Sequence, residues 1–356
     1  MEENLSVFGL FFVTLQVFTL RMKIYKLNNI SELKQDTAAT VGMFDGVHIG
    51  HQHIIALLRQ ESERLNLTPV VVTFAQHPRQ VLGGGVGGVG VDRFCRITTN
   101  AERYAILEHF GIHHVLELDF TRQTASLTAC RFFEQILVGR LRVKALVLGY
   151  DNMFGSKEHN DFDQLPALAQ SRGVSVKVDT AVRFGGIDVS STQVRKALRR
   201  GDVSFAADLL GYDYLLWGRV TKGRQMGRRL GFPTANVCLD DTTKVMPADG
   251  VYAVRIYLEG STEPRIGMAN FGGQPTFGLD KPVFEVNIFD FDGDLYDTTL
   301  RVEFVAHLRQ VQKFGSIAEL VCQLNADREE ARRSLEARCG RGTFVQEQKQ
   351  LDDGRE

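Results

Sequence analysis

Two histidines three residues apart, His48 and His51, form a pair whose type and spacing could carry out chemistry. They follow a short apolar run and a turn signal at 45–46, and an apolar helical face begins shortly after them at Ile54. A strand, a glycine turn and a helix start together offer backbone N–H groups and a positive dipole end to an anion. On one helix face, two imidazoles could donate hydrogen bonds to phosphate oxygens that gain charge in the transition state. Taken alone, such a pair more often caps a helix or lies on the surface.

A second group of candidates lies at the predicted start of a later helix. Ser190 and Gln193 have the spacing of a capping box, and Arg195 can project from the first turn. Hydroxyls, backbone amides and a guanidinium at one helix start suit the β- and γ-phosphates of a nucleotide. Alone, this pattern would favour an N-cap beside a solvated arginine.

A third group combines glycines, oxygen donors and a carboxylate. Gly223 and Gly227 would let a loop approach phosphates with its backbone N–H groups. Thr234 and Asn236 alternate to one side of a predicted strand and offer hard oxygen donors suited to phosphate-bound Mg²⁺, although Thr-x-Asn taken alone is usually structural. Glu285 lies in another predicted strand, where on pattern alone an exposed carboxylate without a function is the commoner case.

The elements that must position the first two groups alternate between apolar runs and helical stretches from residue 23 to residue 200. The predicted strands are 37–44, 70–74, 114–118, 144–149 and 174–178, and the predicted helices are 101–110, 127–138 and 162–170. This alternation predicts an α/β domain with a doubly wound parallel sheet. Ligands of such sheets bind beyond the carboxyl ends of the strands, where the 45–46 turn lies. The glycine-rich stretch 83–90 lacks the Lys-Ser/Thr of a P-loop and is interpreted as a surface loop.

After residue 214 the pattern changes to short strands separated by glycine and proline. These strands are predicted at 215–221, 250–258, 266–270, 283–289 and 300–306, and a helix follows them. The spacing predicts a small antiparallel β-barrel with a terminal helix. The whole chain is therefore predicted to be α/β plus β. Its parts are an extra apolar segment at 1–21, the α/β domain at 22–203, a linker at 204–213, the barrel domain at 214–338 and a polar tail at 339–356.

Composition limits the class of protein. A chain of 356 residues favours two domains, and a net charge of −1 gives no electrostatic footprint for nucleic acid. The five scattered cysteines favour neither a disulfide framework nor a zinc site, which fits a reducing cytoplasm. The apolar run at 5–20 is short for a membrane span and follows Glu2 and Glu3 instead of a basic region. We expect residues 1–21 to be a misassigned upstream start or a tail outside the fold, with no stable membrane association.

The string at 42–51 resembles the Gly-x-Phe-Asp-Gly-x-His-x-Gly-His signature of nucleotidyltransferases, in particular the FAD synthetase half of bacterial bifunctional riboflavin kinase/FAD synthetases. The stretch at 189–195 resembles the Ser-Ser-Thr-x-x-Arg motif of that family, and 218–236 resembles its riboflavin kinase signature. The match at 149–155 is looser, because Asn152 replaces an aromatic residue and Glu158 stands where a basic residue is frequent. Altogether the resemblance covers residues 23–338.

The resemblance implies two ATP-dependent reactions with riboflavin and FMN as substrates and Mg²⁺ as cofactor. In adenylyl transfer it assigns His48 and His51 to the α- and β-phosphates and Arg195 to the leaving pyrophosphate. In phosphorylation it assigns Glu285 as base on the ribityl 5′-hydroxyl. The implied contacts with nucleotide or phosphate are Gly42, Phe44, Asp45, Gly46, Gly50, Ser190, Ser191, Thr192, Gly223, Gly227 and Arg228, those with flavin are Asp151, Phe154, Asn270 and Arg309, and those with metal are Thr234 and Asn236.

Two alternatives stay open at this point. The departures at Asn152 and Glu158 motivate a protein with riboflavin kinase activity alone and a degenerate adenylyltransferase domain. The second alternative is a flavin-binding or regulatory protein without turnover. His48, His51 and Glu285 argue against it, because binding alone does not require them. The sequence does not determine the oligomeric state, a homo-oligomer included.

Overall fold

A computed structural model describes residues 22–77, 95–150, 154–155, 161–223, 226–239, 241, 243–261, 263–274 and 279–339. The chain divides into two compact units between Ser191 and Thr192. The predicted apolar segment 1–21, the glycine-rich stretch 83–90, Asp151 and the tail beyond 339 lie outside the described residues. Within the described ranges, no helix is long and apolar enough to span a membrane.

The first unit is built on a parallel sheet, as predicted. Its strands are β1 (Lys23–Tyr25), β2 (Thr37–Val41), β3 (Thr68–Phe74), β4 (His114–Leu118), β5 (Val143–Leu148) and β6 (Ser175–Val178). Among the described residues they are ordered β1-β4-β3-β2-β5-β6, and every neighbouring pair is parallel. The central strands are buried because helices cover both faces, which explains their continuous apolar sequences. Strand β2 ends at Val41, three residues before the predicted end.

Helices connect these strands. They are α1 (Ile49–Leu65), α2 (Asn100–His109), α3 (Arg122–Ala125), α4 (Ala129–Phe132), which continues as a π-helical turn over Phe133–Val138, and α5 (Leu165–Ser171). Single 3₁₀ turns occupy Ile30–Glu32 and Phe162–Gln164, and a hairpin of β7 (Arg183–Phe184) and β8 (Ile187–Asp188) precedes the end of the unit. Helix α2 begins with a complete capping box, in which Thr99 and Glu102 each bond the other's backbone N–H.

The second unit contains a closed antiparallel barrel, which also confirms the prediction. Its strands are β9 (Tyr214–Thr221), β10 (Ala235–Cys238), β11 (Gly250–Leu258), β12 (Arg265–Gln274), β13 (Leu279–Ile288) and β14 (Thr299–Arg309). In the described part of the chain the order around the barrel is β10-β13-β12-β11-β14-β9. Its helices are α6 (Ser191–Arg199), which starts at the last residue of the first unit, α7 (Val203–Leu210), α8 (Met226–Arg229) and the terminal α9 (Ile317–Cys339).

The structure differs from the predicted organisation between 192 and 213. Helix α7 occupies most of the stretch 204–213 that we expected to be a linker, and it packs against β14 and β9. The backbone N–H of Ala248 also donates to the carbonyl of Leu198, at the end of α6 (3.0 Å). These contacts explain why the compact barrel unit begins at Thr192 instead of after residue 203.

Candidate active sites

The turn between β2 and α1 carries an unusual backbone conformation. Phe44 and Val47 have positive φ angles of 49° and 36°, and Gly46 between them has 81°. Residues other than glycine rarely adopt such values, and they persist there only where the surroundings fix them. Phe44 and Val47 are fully buried, and the N–H of Gly42 bonds the carbonyl of Val72 (3.0 Å). Residues 42–48 therefore form a turn whose shape the protein interior determines.

Asp45 helps to hold this turn and does not point its carboxylate at solvent. Its Oδ1 accepts hydrogen bonds from the backbone N–H groups of Ile97 (2.9 Å) and Thr98 (3.1 Å). The Thr98 hydroxyl in turn accepts from the N–H of Gly46 (3.1 Å). A Cβ at Gly46 would lie 3.0 Å from Ile97, so glycine is needed here for space as well as for its φ angle. The phosphate contact assigned to Asp45 stays a prediction, while its side chain has a role in the turn.

The two histidines lie together at the start of α1. His48 is the N-cap, and its Nδ1 accepts the backbone N–H of His51 (3.4 Å). An imidazole that accepts through Nδ1 carries its proton on Nε2, which makes Nε2 the donor. The two rings stack with centroids 3.7 Å apart, and the Phe44 ring lies 4.9 Å from that of His51. The capping interpretation of His48 is therefore confirmed, and the two rings lie together; their assignment to phosphates stays a prediction.

His51 is held in its neutral form. Burial, followed by the proximity of His48 and Arg103, lowers the pKa of His51 well below its usual range. Its Nδ1 is buried, and no group among the described residues forms a hydrogen bond with it. A buried polar atom without a protein partner is expected where a ligand completes the site.

The start of α6 adds a hydroxyl to this turn. The Oγ of Ser191 donates to the carbonyl of Asp45 (2.8 Å), so these two predicted residues are brought together. Gly50 matters for a close approach, since a Cβ there would lie 3.2 Å from Nδ1 of His48. Ser190 and Thr192 flank Ser191, and Arg195 lies one turn further along α6, buried. The phosphate contacts assigned to these α6 residues stay predictions.

Sequence reasoning missed a buried arginine next to the turn. Arg103 of α2 is 4% exposed and donates to the carbonyls of Met43 (3.0 Å) and Phe74 (3.0 Å). Its neighbour Asn100 donates to Glu117, which also accepts bonds from the Lys26 ammonium and the Tyr104 hydroxyl. Only the position of an arginine within the apolar face of a predicted helix could have indicated it, and that signal is weak.

In the barrel, strand register assembles the third group of candidates. Asn236 of β10 and Asn270 of β12 are both direct partners of Glu285 on β13. Side chains of directly opposed residues point to the same face, so these three residues form a row across neighbouring strands. The row brings together an assigned base, an assigned metal ligand and an assigned flavin contact.

The glycine segment packs against the same row. A Cβ at Gly223 would lie 1.9 Å from Nδ2 of Asn236, and one at Gly227 would lie 2.2 Å from the carbonyl of Phe232 and 3.2 Å from Oγ1 of Thr234. Only glycine permits these approaches, so both glycines set the position of the oxygen donors. In the described part of the chain, no group of three or more His, Cys, Asp or Glu residues could hold a metal ion by itself. A hydroxyl and an amide oxygen do fit Mg²⁺ that is bound mainly by phosphates.

Comparison with known proteins identifies both domains. A family model for FAD synthetase matches residues 30–193, and one for riboflavin kinase matches residues 210–335. The bifunctional riboflavin kinase/FMN adenylyltransferase of Haemophilus influenzae is 37% identical over 306 residues, which cover 86% of this chain and 96% of that protein. The chain belongs to this bifunctional family. The relative of the same name from Pseudomonas fluorescens is 38% identical over 302 residues, which cover 85% of this chain and 94% of the relative.

A solved structure extends the comparison to the fold. A crystal structure named as a macrolide-efflux protein from Streptococcus pneumoniae is 34% identical, with a TM-score of 0.77 over 87% of this chain and 98% of that one. Both domains of the bifunctional family are present in this chain, so the kinase-only alternative is not favoured.

Three residues predicted to contact flavin or phosphate have different surroundings. Phe154 is buried in the core, with its ring near those of Phe132 (5.2 Å) and Phe162 (5.5 Å). Arg309 bonds both carboxylate oxygens of Asp327 on α9, at 2.8 to 3.1 Å. Arg228 is exposed on α8. The assignments of these three residues stay predictions, and Phe154 and Arg309 already have structural contacts.

A cavity adjoins the kinase row. It has a volume of about 290 Å³ and is lined by Pro233, Asn287, Phe289, Asp290 and Arg328 among others. Pro233 directly precedes Thr234, and Asn287 lies two residues after Glu285 on the same strand face. The Nδ2 of Asn287 donates to the carbonyl of Pro233 (2.7 Å), while its Oδ1 is buried without a hydrogen-bond partner among the described residues. The lining residues are grouped around the end of β13 and do not include Glu285, so the cavity is near the row without being lined by the assigned base.

Proposed function

We propose that this chain makes FAD from riboflavin in two ATP-dependent steps, with the barrel forming FMN and the α/β unit adenylylating it. The observation that carries the proposal is the row of Asn236, Glu285 and Asn270 in the barrel, together with the stacked His48 and His51 at the start of α1. Each cluster combines the residue types that its reaction needs. Family membership supports both activities on one chain.

In the kinase step, Glu285 takes the proton of the ribityl 5′-hydroxyl. The hydroxyl oxygen then forms a bond to the γ-phosphorus of ATP as the bond to ADP breaks. Thr234 and Asn236 would hold Mg²⁺, which would supply positive charge to neutralise the transferred group. The segment at 223–227 lies against these donors, which supports a role in holding the nucleotide.

In the adenylyl step, a phosphate oxygen of FMN attacks the α-phosphorus of ATP and pyrophosphate leaves. No covalent intermediate with the protein is needed, so positioning and charge stabilisation suffice. The protonated Nε2 of His48 and the neutral ring of His51 are hydrogen-bonding groups for the α- and β-phosphates. Arg195 is assigned to the departing pyrophosphate, and Ser190, Ser191 and Thr192 to the phosphates at the start of α6.

The cellular setting is also part of the proposal. ATP as co-substrate and the free thiols of Cys95, Cys130, Cys238 and Cys322 favour a cytoplasmic enzyme. The oligomeric state, a homo-oligomer included, can be measured by light scattering, and fractionation of cells with an antibody would test the location.

A chromatographic time course with riboflavin, ATP and Mg²⁺ tests the function directly. FMN should appear first and FAD later, from one purified chain. If only FMN appeared, the chain would lack adenylyl transfer, and the departures at Asn152 and Glu158 would be the first candidates for the cause. No product, with flavin still bound, would replace the enzyme with a flavin-binding protein.

A further inference from the structure

Arg103 joins the ends of two neighbouring strands. Its Nη1 donates to the carbonyl of Met43, two residues beyond β2, and its Nη2 donates to the carbonyl of Phe74, the last residue of β3. Nη2 also donates to Oδ1 of Asn100 (3.1 Å). Because β2 and β3 are parallel partners, both carbonyls lie at the carboxyl edge of the sheet, where ligands of this fold bind.

The bond to Met43 acts on the conformation that places the histidines. Met43 precedes Phe44, which has a positive φ angle, and the Phe44 ring contacts that of His51. The hydroxyl of Thr73 also donates to the Met43 carbonyl (3.2 Å), so this carbonyl is held from two sides. A residue in an unfavourable conformation persists only when such contacts over-determine it.

Arg103 also brings a positive charge into the interior. Burial lowers its pKa to about 10, so it stays charged at neutral pH. Its hydrogen-bond acceptors in the described part of the chain are two carbonyls and an amide oxygen, while Asp45 and Glu117 act on it through their charges. The groups whose charges act on His51 are His48 and Arg103, and both oppose its protonation.

We propose that Arg103 is a positioning residue for adenylyl transfer, which holds the backbone at Met43 and Phe44 so that His51 faces the α- and β-phosphates. The inference rests on the proposed roles of His48 and His51. Lysine cannot replace arginine in this role, because one ammonium does not offer the rigid fork that bonds two carbonyls and an amide at fixed angles.

The test compares Arg103→Lys and Arg103→Met with the wild-type chain and with Arg59→Met. Arg59 is a matched control, since it is exposed on α1 and donates to one backbone carbonyl, that of Phe110 (3.4 Å). Rates of FAD formation from supplied FMN and of FMN formation from riboflavin are measured on the same preparations. The kinase rate reports on the barrel unit, and the folding of the α/β unit is checked separately by circular dichroism.

Arg103→Met should lower kcat for FAD formation by about 10²-fold, the cost typical of misplacing a catalytic group by about 1 Å. Arg103→Lys should lower it by roughly tenfold, because it keeps the charge and loses the fork. KM for ATP should change less than kcat, and kinase rates and Arg59→Met should equal wild type. Circular dichroism of both variants should match that of the wild-type chain.

The pH profile separates positioning and charge from loss of structure. In Arg103→Met the missing cation raises the pKa of His51, so the acid limb of kcat/KM for FAD formation should move to higher pH. In Arg103→Lys the limb should stay near its wild-type position. Wild-type FAD formation in Arg103→Lys, or equal losses of both activities in Arg103→Met, would overturn the inference. Absence of FAD from the wild-type chain would instead overturn the proposed function.

Discussion

The two candidate sites are assembled in different ways. The core of the adenylyl site is local in sequence, since residues 42–51 supply the turn, the helix start and both histidines, and the start of α6 is added to it through Ser191. The kinase site is spread from Gly223 to Glu285 and depends on the register of β10, β12 and β13. Buried contacts that hold unfavourable φ angles fix the first site, and pairing of opposed residues fixes the second.

The difference determines what each site can tolerate. A local turn held by buried side chains should be sensitive to changes in the residues behind it, such as Arg103 and Asp45. A row set by strand register should tolerate changes behind the strands and fail when a member of the row or its glycine neighbour changes. Since the two activities are measured separately, each variant of one site has the other activity as its control.

The largest expected effect comes from removing the carboxylate of the row. Glu285→Gln keeps the shape of the side chain and removes the base, so the kinase rate should fall by about 10²–10⁴-fold. FAD formation from supplied FMN should not change. Glu263→Gln, an exposed change just before β12, is the matched control and should leave both rates as they are. An unchanged kinase rate in Glu285→Gln would take this residue out of the mechanism.

A slightly smaller effect is expected in the other site. His51→Ala removes one hydrogen-bonding group from the phosphates, so FAD formation should fall by about 10²–10³-fold while kinase activity survives. His53→Ala, two residues further on α1, removes an imidazole that bonds Asp179 (2.8 Å) and should have little effect on either rate. Comparable FAD formation in His51→Ala and wild type would refute the assignment.

A glycine variant tests the packing on the row. Gly223→Ala places a methyl group where Asn236 now lies, so Asn236 must move away from its cross-strand position. We expect the kinase rate to fall by roughly tenfold, mainly through KM for ATP. Gly50→Ala in the adenylyl turn meets the His48 ring at 3.2 Å and should have a smaller effect on FAD formation. If Gly223→Ala had no effect, the row would not depend on this close approach.

Much of the fold could be predicted, because the apolar runs have clear ends. The bounds predicted for β4 and β11 agree with the structure, since turn signals limit both buried strands. The end of β2 was predicted three residues too late, because the sequence does not reveal that Phe44 adopts a positive φ angle. Helix α7 was not predicted, because it has only eight residues and a helix this short is stabilised mainly by tertiary packing. Here it packs against β9 and β14.

The candidate sites were predictable where a motif is contiguous, and less so where tertiary contacts decide. The sequence indicated the spacing of His48 and His51, but their stacking and the capping by His48 require coordinates. Arg103 could not be selected, because an arginine within the apolar face of a predicted helix is only a weak sign that its side chain is buried. The sequence also did not indicate that the Asp45 carboxylate points inward. It accepts hydrogen bonds from backbone N–H groups that lie more than fifty residues away in the sequence.

The smallest effect on activity is expected at Arg309, where the assigned flavin contact and the observed ion pair compete. Asp327→Asn leaves Arg309 in place and weakens its bidentate bond between β14 and α9. We expect the unfolding temperature of the barrel to fall by a few degrees. A loss of about 1 kcal/mol in the free energy of unfolding lowers the Tm of a domain of this size by about 2–4 °C. KM for riboflavin should stay within about twofold of wild type, because the variant leaves Arg309 itself unchanged and removes only its ion pair with α9. A large rise in KM without a change in unfolding temperature would mean that the ion pair holds Arg309 for the flavin, as its assignment predicts.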